Sequence, residues 1–178
     1  MHDGHVKDRE TLRAAQAPLK DRYRRQPDSA LVTLSAEGHL GDGVSCSVPT
    51  GMALVEAGLH PATGGSGLQA CSGDMLLQAL AACAGVTLSA VATSMGIPIA
   101  SGSIRVEGDL DFSGTLGVSR SAPVGFTAIR TSFDLESTAS DEQIETLCRL
   151  TERYCVVFQT LASTPRLSMS IERKEVEP

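Results

Sequence analysis

The chain has 178 residues, of which 42% are hydrophobic, 20% charged and 3% aromatic, and its formal net charge is -6. A chain of this length and apolar content can bury a core without disulfide or metal cross-links, which argues against disorder and against a disulfide scaffold. The acidic balance disfavours a nucleic-acid partner, since phosphate recognition requires a basic face. No run of Lys and Arg is present to hold an anionic membrane, so we expect no membrane partner either.

The five cysteines and the N-terminal segment indicate a reducing compartment. An odd number of cysteines cannot close entirely into bridges, and the segment MHDGHVKDRETLRAAQ lacks the apolar stretch of a secretory signal. We therefore expect free thiols and a cytoplasmic location. The cysteines have no CxxC spacing and the four histidines are distant from them in sequence, so we expect no metal site.

The hydropathy pattern predicts one α+β domain over residues 1–178. In chain order the predicted elements are a polar N-terminal arm that is helical or loose (1–28), N-terminal strands and a glycine-rich loop (29–70), a central helix (71–97), strands (103–136), a second helix (140–162) and a last strand (166–172). Within the N-terminal part, the predicted strands are 31–35, 44–48 and 52–55, with a hairpin loop at 37–43.

The central helix is predicted from a segment without charged residues, 75–104. Its length would allow a membrane span, but polar residues interrupt the apolar run and no basic cluster flanks it. A helix that is apolar around most of its circumference is also typical of a buried central helix, which is our interpretation. Asp74 lies in its first turn, where a carboxylate suits the positive helix end.

The second helix is predicted to begin at Ser140, which forms a capping box with Gln143. Its apolar stripe consists of Ile144, Leu147, Cys148, Thr151, Tyr154, Cys155 and Phe158. The strands before it alternate apolar and charged residues from 104 to 112. The alternation over 126–136 has one irregularity, which indicates a β-bulge.

Three cysteines lie on the two predicted helices, namely Cys83, Cys148 and Cys155. One interpretation is that all three are small core residues, since free cysteine is often buried. The other is that helix packing brings two thiols together, so that one attacks an oxidant and the other condenses with the sulfenic acid. From the residues alone, both interpretations remain open.

A reactive thiol needs a lowered pKa. Cys83 is about 16 Å from the N-terminus of its own helix, too far for that dipole to act on it. Positive charge must come from elsewhere, and the cluster of Arg22, Arg24 and Arg25 is either that source or a solvated face.

Several segments resemble the OsmC/Ohr family, the osmotically inducible and organic hydroperoxide resistance proteins, in its OsmC-like branch. GDMLLQALAACAGVTLSAVA resembles the first cysteine helix of that family, and ERYCVVFQTL resembles its second cysteine segment. GSIRVEGDLDFSG and PVGFTAIRTSFDLES are similar to the strands between them, and LKDRYRRQPDSALVTLSAEG is similar to the N-terminal entry. The likeness extends over residues 19–171.

The resemblance implies an OsmC-like fold, with antiparallel sheets packed around a long central helix in an intertwined homodimer. It also implies a thiol peroxidase that needs no cofactor, with Cys83 as the peroxidatic thiolate and Cys155 as the resolving cysteine. The substrate would be an organic hydroperoxide or hydrogen peroxide, and an external dithiol would reduce the resulting disulfide.

The resemblance further implies an arginine beside the thiolate, for which Arg24 and Arg25 are candidates. In the family a glutamate holds this arginine, but Gly73 stands at that position here and Asp74 is the nearest carboxylate. The residue after Cys155 is valine, where many members have proline. Cys148 matches no family cysteine and is expected in the core.

Two other classes of function remain as alternatives. The first is a non-catalytic small-ligand-binding or scaffold protein of the same fold, with the thiols as core residues, and the missing glutamate favours it. The second is a hydrolase with Cys83 and a histidine base, but nothing places His39 or His60 beside the thiol.

Overall fold

The computed structural model describes residues 8–26, 39–40, 45–50 and 53–173. The helices are α1 (Arg9–Arg25), α2 (Ser72–Met95), α3 (Phe112–Thr115), α4 (Asp141–Tyr154) and α5 (Val156–Ala162). The strands are β1 (His39–Leu40), β2 (Ser45–Thr50), β3 (Ala53–Gly58), β4 (Ala70–Cys71), β5 (Ile99–Leu110) and β6 (Phe126–Ser137). Helices combine with strands that are mostly antiparallel in an α+β fold, as predicted, although β3 and β4 pair in parallel.

The strands form a four-stranded sheet in the order β1-β2-β3-β4 and a two-stranded sheet, β5-β6. Strands β2 and β3 correspond to the strands predicted at 44–48 and 52–55, whereas the strand predicted at 31–35 lies outside the described residues. His39 and Leu40, predicted as part of a hairpin loop, instead pair with Ser47 and Cys46.

The β-bulge indicated by the sequence is present in β6. Asp109 pairs with Ala128 and Leu110 pairs with Phe126, so Thr127 is an extra residue on its strand. Its hydroxyl donates to the Asp109 carbonyl at 3.1 Å. On either side of this bulge, the inward-facing residues of the hairpin pack against α2.

The N-terminal arm contains a helix, α1, which begins at a capping box between Asp8 and Thr11. The Asp8 carboxylate accepts from the Thr11 N–H at 2.8 Å. This helix packs against α2. A cavity of about 470 Å³ between them is lined by Arg24 and by Ser94, which lies at the C-terminal end of α2.

Helix α2 is the long central helix that the uncharged segment predicts. By length and composition it could cross a membrane. Here it packs on β5, α4 and α5 through one buried stripe: Leu80, Ala84, Leu88 and Ala92. The helix ends at Gly96, whose φ of 71° is the left-handed conformation that favours glycine at a helix C-terminus.

Only one stripe of α2 is buried within a single chain, whereas the sequence indicates burial around most of the helix. Val86, for example, is 72% exposed. The apolar residues of the other face therefore have no cover among the residues that the structure describes.

The buried residues form two hydrophobic clusters along α2. One contains Leu88, Ala92, Ile97 and Leu147, with Phe133 and Leu135 packed against it. The other contains Leu80, Ala84 and Cys155, with Cys83, Ile104 and Phe158 packed against it. The second cluster thus holds one cysteine from the central helix and one from the C-terminal helical segment.

The second helix, predicted as continuous over 140–162, is interrupted at Cys155. The predicted capping box is present: the Ser140 hydroxyl accepts from the Gln143 N–H, and the Gln143 side chain accepts from the Ser140 N–H. Cys155 has φ -72° and ψ 109°, which ends α4 and begins α5. Its sulfur accepts from the Phe158 N–H at 3.5 Å, as an N-cap side chain does.

This interruption overturns two expectations about the cysteines. The sequence places Cys148 and Cys155 on one apolar face, with Cys148 in the core. Instead, Cys155 is buried and Cys148 is exposed. Helix α4 ends before Cys155, so Cys148 and Cys155 do not lie on one face of a continuous helix.

The last predicted strand, 166–172, is not a strand in the structure. Residues 164–173 are described but pair with no other described segment. Its alternating apolar residues Leu167, Met169 and Ile171 are 85%, 94% and 91% exposed. A strand requires a neighbouring edge to satisfy its backbone groups, and the described part of this chain provides none here.

Candidate active site

Cys83 of α2 and Cys155 of the α4–α5 junction meet in the second hydrophobic cluster. Both are free thiols; Cys83 is half-buried and Cys155 is fully buried. The pKa values of the two thiols depend on each other, since Cys155 lowers the pKa of Cys83 and Cys83 raises that of Cys155. Of the three candidate cysteines, the structure therefore brings this pair together and leaves Cys148 apart.

Hydrogen bonds favour the thiolate form of Cys83. Burial alone raises the pKa of its thiol, because a charged sulfur loses solvation. Four donors outweigh this effect and hold the pKa below its ordinary value: the Val157 N–H, the Cys155 thiol, the Val156 N–H and the Thr87 hydroxyl. Cys83 is thus the thiol of the pair that ionises first.

The pKa of the Cys155 thiol is shifted in the opposite direction, above its ordinary value. Burial raises the pKa of its thiol, and the negative charge on Cys83 raises it further, while N–H groups of Phe158 and Val157 lower it in part. The proton of the pair therefore stays on Cys155 and the negative charge on Cys83. A nucleophilic thiolate next to a protonated thiol is the arrangement required for a two-cysteine redox cycle.

The interruption at Cys155 also positions the donors. Val156 and Val157 are the first residues of α5, so their N–H groups have no partner within that helix. These N–H groups lower the pKa of the Cys83 thiol. Backbone N–H groups leave no residue-type signal, so the sequence indicates only a cationic side chain and not these donors.

The predicted arginines lie elsewhere within the chain. Arg24 pairs with Asp21 at 2.7 Å, and the Arg25 side chain donates to the Asp21 carbonyl at 3.3 Å. The groups that act most on the Cys83 pKa are the donors named above, and neither arginine is among them. A role for Arg24 or Arg25 at the thiolate stays a prediction.

Asp74 and His60 line a different cavity, of about 460 Å³, at the N-terminal end of α2. His60 stacks on Phe112 with 4.8 Å between the ring centroids, and its Nδ1 accepts from the Ala62 N–H at 3.0 Å. Cys71 and Gly73 line the same cavity. Within the described residues, neither Asp74 nor His60 is among the groups that act on Cys83, and the His39 side chain lies outside the description.

An apolar groove of about 290 Å³ adjoins the cysteine cluster. Leu80, Phe158, Leu161 and Ile129 belong to the cluster and also line the groove, together with Phe126. Within the described ranges, no group of three or more His, Cys, Asp and Glu side chains could hold a metal ion.

The fold and this pair define the class of protein: an α+β domain in which a long central helix holds one cysteine against a second at a later helix junction. The family model described as "OsmC-like protein" matches residues 65–170, more than half of the chain. The chain belongs to the OsmC-like protein family.

Solved structures agree on the fold. An OsmC-like protein from Mycoplasma pneumoniae superposes with a TM-score of 0.62 at 19% identity, covering 75% of this chain and 89% of the other. An organic hydroperoxide resistance protein from Elizabethkingia anophelis gives 0.59 at 15%, covering 75% and 91%. One from Legionella pneumophila, described as organic hydroperoxide resistance protein OsmC, gives 0.55 at 18%, also covering 75% and 91%. A comparison with curated proteins gives no significant match.

Proposed function

We propose that this chain is a cysteine-based thiol peroxidase of the cytoplasm, which reduces organic hydroperoxides or hydrogen peroxide. The observation that carries the proposal is the packing of Cys83 and Cys155 in one buried cluster, with the pKa of Cys83 lowered, in part by Cys155, and that of Cys155 raised. One thiol is thereby prepared to attack and the other to supply a proton.

The proposed cycle begins with attack of the Cys83 thiolate on the peroxide. A sulfur–oxygen bond forms, the oxygen–oxygen bond breaks, and the leaving alkoxide takes the proton of the Cys155 thiol. The products are a sulfenic acid on Cys83, an alcohol and a thiolate on Cys155. That thiolate attacks the Cys83 sulfur, so the disulfide forms and hydroxide leaves. An external dithiol supplies two electrons, reduces the disulfide and becomes a disulfide itself.

The apolar groove beside the pair supports an organic hydroperoxide as substrate. Its walls are aliphatic and aromatic, and they belong to the same cluster as the cysteines. Burial of an alkyl or aryl group there would stabilise the complex by about 25 cal/mol per Å² of apolar surface. Hydrogen peroxide has no apolar group that could be buried in this groove.

We also propose that the protein works as a homodimer. The exposed face of α2 and the unpaired residues Leu167, Met169 and Ile171 are apolar surfaces that a second copy would cover. An extended segment with alternating apolar residues is suited to pair with a strand of that copy. The dimer would then supply a strand edge, which the described part of this chain does not offer to residues 166–172.

The proposal is tested by treating the reduced protein with cumene hydroperoxide. Peroxide consumption is measured, and disulfides are mapped by mass spectrometry. We expect a Cys83–Cys155 bridge in the wild type and in Cys148→Ser, and neither bridge nor consumption in Cys83→Ser. Absence of both in the wild type would refute the peroxidase function.

Small-ligand binding without catalysis is a second candidate, which the cavity of about 460 Å³ at the N-terminal end of α2 favours. Aromatic and aliphatic walls with His60, Cys71 and Asp74 at the edge are typical of a ligand site. The same experiment separates the candidates, since a binding protein would leave the peroxide intact.

A further inference from the structure

The apolar groove beside the cysteines shares one wall with the cavity of about 460 Å³ at the N-terminal end of α2, here called the N-terminal cavity. Among the described residues, Phe126 is the only one that borders both. Leu80 borders the groove, and Leu77, three residues earlier on the same face of α2, borders the cavity. The groove and the cavity therefore follow one another along α2, with Phe126 between them.

The β-bulge in β6 determines which way Phe126 faces. Phe126 and Ile129 are three residues apart, and in a regular strand this spacing would put them on opposite faces of the sheet. The extra residue, Thr127, shifts the register, so that both side chains are half-buried while Thr127 and Ala128 are exposed. The bulge thus turns the Phe126 ring to the face of the hairpin that packs on α2.

Two glycines leave room for the Phe126 ring. A Cβ atom at Gly108 of β5 would lie 2.6 Å from two carbons of the ring, which is closer than non-bonded carbon atoms approach. A Cβ atom at Gly73, in the first turn of α2, would lie 3.4 Å from Cζ, the far carbon of the ring. The ring thus fills the space between the β5–β6 hairpin and α2, where the groove would otherwise open into the N-terminal cavity.

A wall at this position limits how much of a ligand the groove can bury. Each methylene group that leaves water tightens binding by about fourfold, and methylene groups that cannot pass the wall gain nothing. We propose that Phe126 is a specificity-determining residue: its ring closes the groove toward the N-terminus of α2 and sets the longest alkyl chain that can be buried beside the cysteines. The inference rests on the proposed function in taking this chain to be that of an alkyl hydroperoxide or of the alcohol formed from it.

The test is the binding of primary alcohols from butanol to decanol, with dissociation constants measured by NMR titration. For the wild type we expect the affinity to rise with chain length and then to level off. Phe126→Ala joins the groove to the N-terminal cavity, so its affinity for decanol should exceed that of the wild type by about tenfold, the effect of about two further buried methylene groups. Alkyl hydroperoxides of the same chain lengths should show the same difference in kcat/KM.

Phe112→Ala is the matched control, since Phe112 borders the N-terminal cavity but not the groove, and its ring stacks on His60. This change enlarges the cavity, leaves the Phe126 wall in place and should retain the wild-type dependence on chain length. If Phe126→Ala folds poorly by circular dichroism, Phe126→Leu, which also lacks the ring, decides in its place.

Three results would each overturn the proposal: no alcohol binds, Phe126→Ala levels off at the wild-type chain length, or Phe112→Ala gives the same extension. The alcohols bind without reacting, so a failure of the peroxidase function would leave the binding result interpretable. Peroxide consumption with an unchanged chain-length profile would reject the role of Phe126 and keep the peroxidase function.

Discussion

Cys155, at the junction of the last two helices, packs against Cys83 of the central helix and lowers the pKa of its thiol. The two cysteines are in the same buried cluster but have opposite tendencies to ionise. The relationship makes the pair asymmetric before any substrate arrives. Most of the predictions below follow from it.

The first prediction concerns the pH dependence of thiol reactivity. The pKa of Cys83 is lowered, whereas burial, and secondarily the charge of Glu152, raise the pKa of Cys148. Because only the thiolate reacts, alkylation of Cys83 should reach half its maximal rate at a lower pH than alkylation of Cys148. Peptide-resolved alkylation across pH 5–10 measures both residues in one sample. A reversed order would contradict the assignment of the nucleophile.

The second prediction separates the two roles of Cys155. Cys155→Ser and Cys155→Ala should both stop the cycle at the sulfenic acid, which dimedone traps on Cys83. Only Cys155→Ala also removes the hydrogen-bond donor, so its Cys83 pKa should rise and its reaction with peroxide should slow by about tenfold relative to Cys155→Ser. Stopped-flow peroxide consumption measures the rates, and equal rates would exclude a donor role for the Cys155 side chain.

The third prediction tests the backbone donor at Val156. Proline has no N–H, but its fixed φ suits the first position of a helix, and the extended conformation of Cys155 is compatible with a following proline. The Val156 side chain is 72% exposed, so its loss should cost little stability. Val156→Pro should therefore fold normally and raise the pKa of Cys83, measured by alkylation.

Val156→Ala is the control for this prediction, since it shortens the side chain and keeps the N–H. It should retain the wild-type pKa. A lower Cys83 pKa in Val156→Pro than in Val156→Ala would show that the N–H does not stabilise the thiolate.

The fourth prediction concerns assembly. We expect the wild type to be a dimer by light scattering, and the triple variant Leu167→Ser, Met169→Ser and Ile171→Ser to shift toward monomer, because the covered apolar surface would be lost. Val118→Ser changes another exposed apolar side chain, which is 78% exposed and lies in a different segment. It should leave the dimer intact. A monomeric wild type would contradict the proposed assembly.

The fifth prediction concerns the first hydrophobic cluster. Leu147 is almost fully buried against Leu88 and Ala92, away from the cysteines. Leu147→Ala should lower the free energy of unfolding by about 2–5 kcal/mol, because it leaves a cavity. Urea unfolding measures the loss, while the alkylation profile of Cys83 should stay unchanged. A shifted profile would mean that the two clusters are coupled.

Local patterns predicted much of the fold. The uncharged segment 75–104 indicated α2, the Ser140–Gln143 capping box fixed the start of α4, and the irregular alternation near Thr127 indicated the bulge. Each of these signals lies within a few residues of the feature that it predicts. The resemblance to the family singled out Cys83 and Cys155.

Features that depend on distant contacts could not be predicted. The apolar stripe continues through Cys155, so nothing local indicates that the helix ends there. The end of the helix at Cys155 is accompanied by the N-cap bond from the Phe158 N–H to its sulfur and by its packing against Cys83. Neither contact can be read from the local sequence. The same break leaves the N–H groups of Val156 and Val157 without partners in α5, and they lower the pKa of Cys83. The arginine expected from α1 stays a prediction.

The complete burial of Cys155 has a consequence for the order of events in the proposed cycle. With none of its surface exposed, Cys155 is out of reach of any external molecule, so the hydroperoxide and the dithiol must both react at the sulfur of Cys83. The Cys83 thiolate attacks the hydroperoxide, and a thiolate of the dithiol attacks the Cys83 sulfur of the disulfide. Oxidant and reductant then compete for one approach route and cannot be bound together. Such a protein would turn over by ping-pong kinetics, and a large excess of dithiol would slow the oxidation step by occupying that route.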